Sequence, residues 1–486
     1  MIPDYIPNWI GGEERPAEGG RTLDKFDPAT GSRLCAVADS SARDVQEAIA
    51  AARSAQPAWA ALPAPARGAA LLELALAMRR HRQDIAAMVA RETGKSPRDA
   101  LGETDGAISL GLFFSGEGQR LYGRTLQSGV PHKYGGTIRQ PIGLAGLIVA
   151  ANTPIANIAW KVFPALVCGN AAILKMAEDT PGTGWIFGRM ARKSGLPDGV
   201  LNIVQGVGAV SGAALVDSPD VGVVSFTGST AVGRRIAEVC GRRLARVSLE
   251  LGGKNPLVVC DDADLDRAVH WSVLSAFSNA GQRCASASRI IVFAPVYEAF
   301  REKLLAATDR LSVGPTDADD LGPVINRRQL EAMCAALDRA RGQGARILRG
   351  GSRLDDPAHA AGFYMAPTVY ENAAMDAEIS QKELFGPIVG LYPARDFDEA
   401  LALANATPYG LTAAIHSAGV HRCALFAQRV RAGVVNANAG TYGSEPHCPF
   451  GGFGQSGNGS REPGTEALDV YSELKAVYTI VDAAKV

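Results

Sequence analysis

GLAGLIVAANTPIANIAWKVFPALVCGNAAILKM, residues 143–176, sets the architecture. GLAGLIVAA (143–151) is a short apolar run of the buried-strand type. Residues 154–168 carry a helical pattern, and AAILKM (171–176) is a second apolar run. A strand, a helix and another strand in so short a span predict two parallel strands joined by a right-handed crossover. The region is the most apolar of the chain, but Asn152, Pro154, Asn157, Lys161, Pro164 and Asn170 interrupt it. It supplies no continuous membrane span.

The same rhythm extends outward. Upstream, residues 42–60 and 65–91 are Ala-rich and helical in period. Downstream come a helix at 181–195, GVLNIVQG (199–206), a helix around 209–217 and VGVVSFTG (221–228). After LELGGKNPLVVC (249–260) the alternation restarts, with a helix at 264–280, SRIIVFA (288–294), and helices at 296–310 and near 327–343. Leu251-Gly252-Gly253 reads as the hinge between the two series. PFGGFGQSGNG (449–459) closes the second. YSELKAVYTIV (471–481) is a strand with no core of its own, and TLQSGVPHKYGGTIRQP (125–141) is an excursion with the look of a hairpin. The fold class is α/β.

Bulk properties narrow the function. A chain of 486 residues suggests two or three domains. With 49 basic and 50 acidic residues and a net charge of -1, nothing favours nucleic acid or an anionic membrane surface. MIPDYIPNWIGGEERP has neither the basic nor the apolar region of a secretory leader. Eight cysteines, at 35, 168, 240, 260, 284, 334, 423 and 448, form no CxxC pair, which predicts reduced thiols and a cytoplasmic address. The histidines show no ligand spacing, so no metal is expected.

Cys284 stands apart from the other cysteines. In NAGQRCASAS (279–288) it lies among small residues that leave room for a substrate carbon to reach its sulfur. Attack requires the thiolate, hence a favourable environment or a nearby base. Glu250, at the end of a strand-like run and beside two glycines, is the candidate base. Asn152, after the 143–151 strand, is a candidate oxyanion donor. FTGSTAVGRRI (226–236) ends a strand, turns at Gly228 and caps a helix at Ser229 or Thr230, which suits a phosphate. Lys175 and Glu178, in LKMAED, fit ribose hydroxyls, and an acid there disfavours a 2′-phosphate. Each feature alone reads more readily as a turn, a cap or an ion pair.

Together they closely resemble the NAD(P)-dependent aldehyde dehydrogenase superfamily over almost the whole chain. The matching blocks are ANTP, LKMAED, FTGSTAVG, LELGGKNP, GQRC, KELFGP and PFGGFGQSGNG, in that family's order. The resemblance implies a Rossmann-type dinucleotide-binding domain (1–121 and 142–252), an α/β catalytic domain (253–460) and a small β oligomerisation arm (122–141 and 461–486). It implies Cys284 as nucleophile, Asn152 as oxyanion donor, Glu250 as general base and Lys161 in proton relay. Lys175, Glu178, Gly228, Ser229, Glu383 and Phe385 would bind NAD, with NADP as the alternative, and Phe450 would line the substrate tunnel. The partners implied are a small aldehyde and further copies of the chain, as a homodimer or homotetramer.

Departures from the family bear on the substrate. Ala151 and Thr153 flank Asn152 where the family often has aromatic residues, Trp160 remains as an aromatic wall, and Arg283 precedes the nucleophile. FFSGEGQR (113–120) and AWKVFPALVCGN (159–170) are similar to the 2-oxoglutarate-semialdehyde dehydrogenase branch. Ala156 and Ala159, however, stand at helix positions expected to face the tunnel, which predicts an uncharged or aromatic aldehyde. A carboxylated semialdehyde is the alternative. Tyr442, Glu445 and His447 are expected at the tunnel mouth. Remoter readings are a CoA-acylating relative, a cysteine esterase and a non-catalytic binding protein. Glu250 argues against the first, the cofactor blocks against the second, and retention of Cys284 and Asn152 against the third.

Overall fold

The computed structural model describes residues 2–485. The end residues of the expected dinucleotide-binding domain and arm, 1 and 486, lie outside them. Two seven-stranded sheets form the body. The first runs in the order Arg246–Glu250, Val223–Thr227, Leu144–Ile148, Ala171–Lys175, Leu201–Val204, Asn8–Ile10, Glu13–Arg15. Its first five strands are parallel, and the two N-terminal strands add antiparallel. Leu144–Ile148, Ala171–Lys175 and Leu201–Val204 are buried at every residue, because helices cover both faces; this is why they read as unbroken apolar runs.

The strand order explains where a site can form. The chain builds outward from Leu144–Ile148 through Ala171–Lys175 to Leu201–Val204, then returns to add Val223–Thr227 on the other side. Order therefore reverses between Leu144–Ile148 and Val223–Thr227, and a crevice opens beyond the carboxyl ends of strands at such a point.

The second sheet has the order Arg346–Arg349, Thr368–Glu371, Ile388–Ala394, Ala287–Phe293, Asn255–Val259, Thr412–His416, Val434–Ala437, parallel except at its first strand. Residues 251–254, between the last strand of one sheet and the first of the other, carry no regular structure. The C-terminal strand Ser472–Ile480 pairs along its whole length with Lys133–Pro141, which also pairs with Thr125–Leu126. That pairing supplies the neighbour the C-terminal strand lacked in the sequence.

Two helices differ from expectation. The helical stretch at 65–91 is divided into Ala64–Arg80 and Arg82–Thr93 by His81, whose φ of -109° and ψ of 23° leave the helical region. The helix expected at 264–280 stops at Phe277. Asn279, Ala280 and Gly281 then take φ values of 53°, 52° and 66°. Left-handed backbone at Ala280 carries strain that the surroundings must hold in place. A Cβ on Gly281 would overlap the Gly386 carbonyl, so this turn is pressed against the KELFGP segment. Among the described residues no single helix is long and apolar enough to cross a membrane.

Candidate active site

The turn at 279–281 delivers Cys284 toward the crevice, and side-chain amides fix the loop. Asn255 Nδ2 donates to the carbonyls of Cys284 (2.7 Å) and Ser286 (2.9 Å). The Gln282 side-chain oxygen accepts from Ile325 N at 2.9 Å. Asn152 Nδ2 donates to the Gln282 carbonyl at 3.0 Å, which ties the first sheet's edge to the nucleophile loop. A carboxamide nitrogen carries two hydrogens, so one remains for a ligand.

Asn152 is itself held from behind. Its carbonyl accepts from Lys95 Nζ at 2.7 Å, and Lys95 pairs with Glu103 at 2.5 Å. Glu103 in turn accepts from the backbone N–H groups of Ile155 (3.0 Å) and Ala156 (3.3 Å) at the start of helix Pro154–Val167. Those groups have no partner within the helix, and a carboxylate also suits the dipole there. Lys95 and Glu103 were missed in the sequence, where no motif marks them.

The Cys284 thiol is not poised as a thiolate. Burial, then the carboxylates of Glu383 and Glu250, push it up to about 12, against smaller opposing effects of the Ala285 N–H and Arg283. The small-residue loop thus gives access, and the proton must still be taken by a base. Glu250 is placed for that. It is 2% exposed, and neither carboxylate oxygen has a hydrogen-bond partner. Burial and the Glu462 carboxylate raise its proton affinity well above the ordinary range, opposed by Lys161 and Arg461. The Gly-rich block is what covers it. Glu250 bridges to Gly457, and a Cβ on Gly451 would come within 2.9 Å of Glu250 Oε1.

Lys161 is fully buried. Its Nζ lies 2.8 Å from Glu462 Oε2 and 2.6 Å from Ser225 Oγ. Glu462 also accepts from Ser225 (2.9 Å), Ser248 (2.9 Å) and Tyr471 (3.1 Å). Glu462 was missed in the sequence. A lysine in an apolar helix demanded a buried acid, but this one lies 301 residues away.

The groups suited to a dinucleotide lie along the same edge. Lys175 Nζ is 3.5 Å from Glu178 Oε2, and Glu178 Oε1 accepts from Gly208 N at 2.6 Å. Ser229 caps helix Thr230–Arg242 by accepting from Val232 N, and Gly228 N donates to the Glu250 carbonyl at 3.1 Å. Glu383 accepts from Gly253 N at 3.0 Å, and burial pushes it up to about 7. A Cβ on Gly252 would overlap the Glu383 carboxylate, so the LGG turn is what admits that side chain. Phe385 takes a left-handed backbone, φ 56°, just before Gly386. A carboxylate beside a lysine, a capped helix start and a second carboxylate over a glycine turn fit the ribose, pyrophosphate and ribose of a dinucleotide. Among the described residues no cluster of three or more His, Cys, Asp or Glu side chains could hold a metal.

On the substrate side, Trp160 and Phe450 stack with ring centroids 5.1 Å apart at 57°. Thr153 Oγ1 is taken by Asn157 Nδ2 at 3.2 Å. Ala156 is partly exposed, but Ala159 is wholly buried in the hydrophobic core and does not face a tunnel. The expectation for Ala159 is corrected: positions three apart share a helix face, but the hydrophobic core packs over Ala159 and shuts it off. A cavity of about 1040 Å³ lies beyond Phe277 and Ser278, with Arg283 and Tyr442 in its wall. The Arg283 guanidinium stands 5.1 Å from the Tyr442 ring centre. Glu445 and His447 are exposed, 3.9 Å from each other, and are not part of that wall.

The aldehyde dehydrogenase family model matches residues 15–477. The chain is 36% identical over 474 residues to the alpha-ketoglutaric semialdehyde dehydrogenase of Bacillus subtilis (strain 168), covering 97% of each. It superimposes with a TM-score of 0.96 on betaine aldehyde dehydrogenase from Staphylococcus aureus in complex with NAD+, at 30% identity over 98% of this chain and 95% of that one. It superimposes with a TM-score of 0.94 on an E. coli NADP dependent enzyme, at 35% identity over 98% of each.

Proposed function

The chain belongs to the aldehyde dehydrogenase family of NAD(P)-dependent oxidoreductases acting on aldehydes, and from that premise we propose that it oxidises an aldehyde to a carboxylic acid with NAD, using Cys284 as nucleophile. The observation that carries this reading is Glu250: a buried carboxylate with both oxygens unpartnered, close enough to raise the thiol's proton affinity. Glu250 takes the Cys284 proton, and the sulfur adds to the aldehyde carbon. The oxyanion so formed is held by the free Asn152 N–H and the Cys284 backbone N–H. A bound nicotinamide would supply the hydride acceptor for that carbon, leaving Cys284 carrying the acyl group as a thioester. Glu250, having released its first proton, then deprotonates water, which attacks the thioester and frees the acid. Burial raises the proton affinity of Glu250 most, and the neighbouring Lys161–Glu462 pair adjusts it, Glu462 upward and Lys161 downward.

Lys175 and Glu178 would hold the adenosine ribose, Gly228 and Ser229 the pyrophosphate, and Glu383 and Phe385 the nicotinamide ribose. The Glu178 carboxylate repels a 2′-phosphate, which favours NAD over NADP. Residues 1–121 with 142–252 form the dinucleotide-binding unit, 253–460 the catalytic unit, and 122–141 with 461–486 the arm. The arm leaves Tyr134, Leu474, Tyr478 and Ile480 exposed, by 65%, 51%, 58% and 69%. Leu474, Tyr478 and Ile480 share one face of the sheet and Tyr134, opposite Thr479, lies on the other, and exposed apolar groups of this kind suit a second copy of the chain. A cytoplasmic address accords with eight free cysteines.

Near the carbonyl the walls are uncharged, and Trp160 with Phe450 favours an apolar or aromatic segment. A second reading, a carboxylated semialdehyde, is favoured by Arg283, which makes no ion pair among the described residues and faces the cavity. The test is NADH formation without CoA against aliphatic, aromatic and carboxylated aldehydes, repeated with NADP. Turnover that Cys284→Ala abolishes while NAD still binds supports the assignment. Activity only with CoA moves it to acyl transfer.

A further inference from the structure

Asn152 has to carry its amide to the oxyanion from a stretch with no regular structure. Residues 149–153 lie between strand Leu144–Ile148 and helix Pro154–Val167. The Asn152 carbonyl takes its hydrogen bonds from side chains, Lys95 Nζ at 2.7 Å and Asn279 Nδ2 at 3.4 Å. Thr153, at the helix N-cap, makes no side-chain cap bond. Glu103 takes that role from another helix, through Ile155 N and Ala156 N. One ion pair therefore fixes the chain at Asn152 and just beyond it.

The pair is itself rigidly mounted. Gly94 ends helix Arg82–Thr93 in a left-handed conformation, φ 75°. Ser96 Oγ accepts from Asp99 N at 3.1 Å and starts helix Pro97–Glu117, which carries Glu103. Lys95 is thus pinned between two helix caps. The support also closes on itself. A Cβ on Gly94 would overlap the Pro323 ring. The Pro323 carbonyl accepts from Gln282 Nε2 at 3.3 Å, and the Gln282 carbonyl accepts from Asn152 Nδ2 at 3.0 Å. Lys95 completes the ring at the Asn152 carbonyl, so the oxyanion side chain and the nucleophile loop share one set of supports. The Lys95 and Glu103 side chains are nearly shut off from solvent. A buried ion pair gives little net stability over an apolar pair of similar size. What an apolar pair could not replace is the bond to the Asn152 backbone.

We propose that Lys95, seated by Glu103, is a positioning residue for the oxyanion step. It fixes the Asn152 backbone so that the second Nδ2 hydrogen meets the oxygen of the attacked aldehyde. Lys95 touches neither substrate nor cofactor and acts through Asn152 alone. Its effect falls on the transition state, where a small misplacement of a donor is costly. The inference rests on the assignment of Asn152 as oxyanion donor.

The experiment is a cycle of variants, read in kcat, aldehyde KM, NAD binding and melting temperature with the aldehyde that the wild type turns over fastest. Lys95→Met is combined with Glu103→Gln, which leaves no buried charge unpaired. The glutamine oxygen can still accept from Ile155 N and Ala156 N, so the helix start keeps its cap. With Asn152 in place, the double variant is expected to lose about 10- to 10²-fold in kcat, with KM and NAD binding within about twofold of wild type. With Asn152→Ala already present, the same double change is expected to cost almost nothing further, because the group it positions is gone. Equal losses in the two backgrounds, or an unchanged kcat with Asn152 intact, overturn the proposal. A double variant that melts far below wild type, or does not fold, also overturns it, since the pair then acts on the fold. Asn152→Ala with a wild-type kcat overturns the oxyanion assignment itself, and that outcome is read before any change at Lys95 or Glu103.

Discussion

Lys161 Nζ lies 2.8 Å from Glu462 Oε2, and both side chains are wholly shut off from solvent. A buried pair of this kind survives because its remaining valences are filled, here by Ser225, Ser248 and Tyr471. It joins the helix that follows Asn152 to the segment that follows the Gly-rich block. It also faces Glu250, whose proton affinity Glu462 raises and Lys161 lowers.

Glu462→Gln removes one partner and leaves the other charged. Stability is expected to fall by about 3–5 kcal/mol, as for other broken buried pairs, and Lys161→Met combined with Glu462→Gln to recover part of it. The activity effect has a definite sign. Glu462 holds the Glu250 pKa up, so its neutralisation lowers that pKa. The rising limb of the pH–kcat profile then moves to lower pH. Denaturant unfolding and the pH profile check the two effects separately. A limb that stays in place means that the pair acts only on stability.

Glu250→Gln tests the division between the two chemical steps. Burial raises the proton affinity of both groups, the Cys284 thiol to about 12 and Glu250 well above its ordinary range. Since both must lose protons, kcat/KM is expected to climb with rising pH across the neutral and alkaline range. Without Glu250 the carboxylate beside the thiol is gone, which eases ionisation of Cys284 and offsets the loss of the base that takes its proton. Thioester hydrolysis then lacks its base. A burst of NADH no larger than the enzyme concentration is expected, followed by a steady rate lowered by about 10²–10⁴. Stopped-flow absorbance separates the phases. A full steady rate removes Glu250 from the mechanism.

Much of this was legible because it is local. The apolar runs at 143–151 and 171–176 and the helix between them fix parallel strands without distant information. Cys284, Glu250 and Asn152 each stand out from a short motif; in the structure Asn152 bonds the loop of Cys284, and Glu250 lies close enough to raise its thiol. What stayed hidden is long-range. Glu462 answers Lys161 from across the chain, and Lys95 and Glu103 support Asn152 through its backbone, which no side-chain motif records. Ala159 was misplaced by helical period alone, because the period does not say which side of a doubly packed helix meets the opening. The left-handed turn at 279–281 was invisible for a different reason: Asn279 and Ala280 are ordinary helix residues until Gly281 is pressed on Gly386.

Asn152→Ala isolates the oxyanion contribution with little damage to the fold. The contact with Lys95 uses the Asn152 carbonyl, which alanine retains. The Gln282 carbonyl loses one donor but keeps Asn279 Nδ2 at 3.2 Å. The nucleophile loop therefore stays anchored, and the melting temperature is expected to change little. The lost N–H served the oxyanion, so kcat is expected to fall by about 10²–10³, as when one donor of such a site is removed, with NAD affinity unchanged. Steady-state kinetics beside a thermal melt makes the comparison. A large drop in melting temperature would mark Asn152 as chiefly a brace for the loop, and a kcat near wild type would leave the backbone N–H of Cys284 to hold the oxyanion alone.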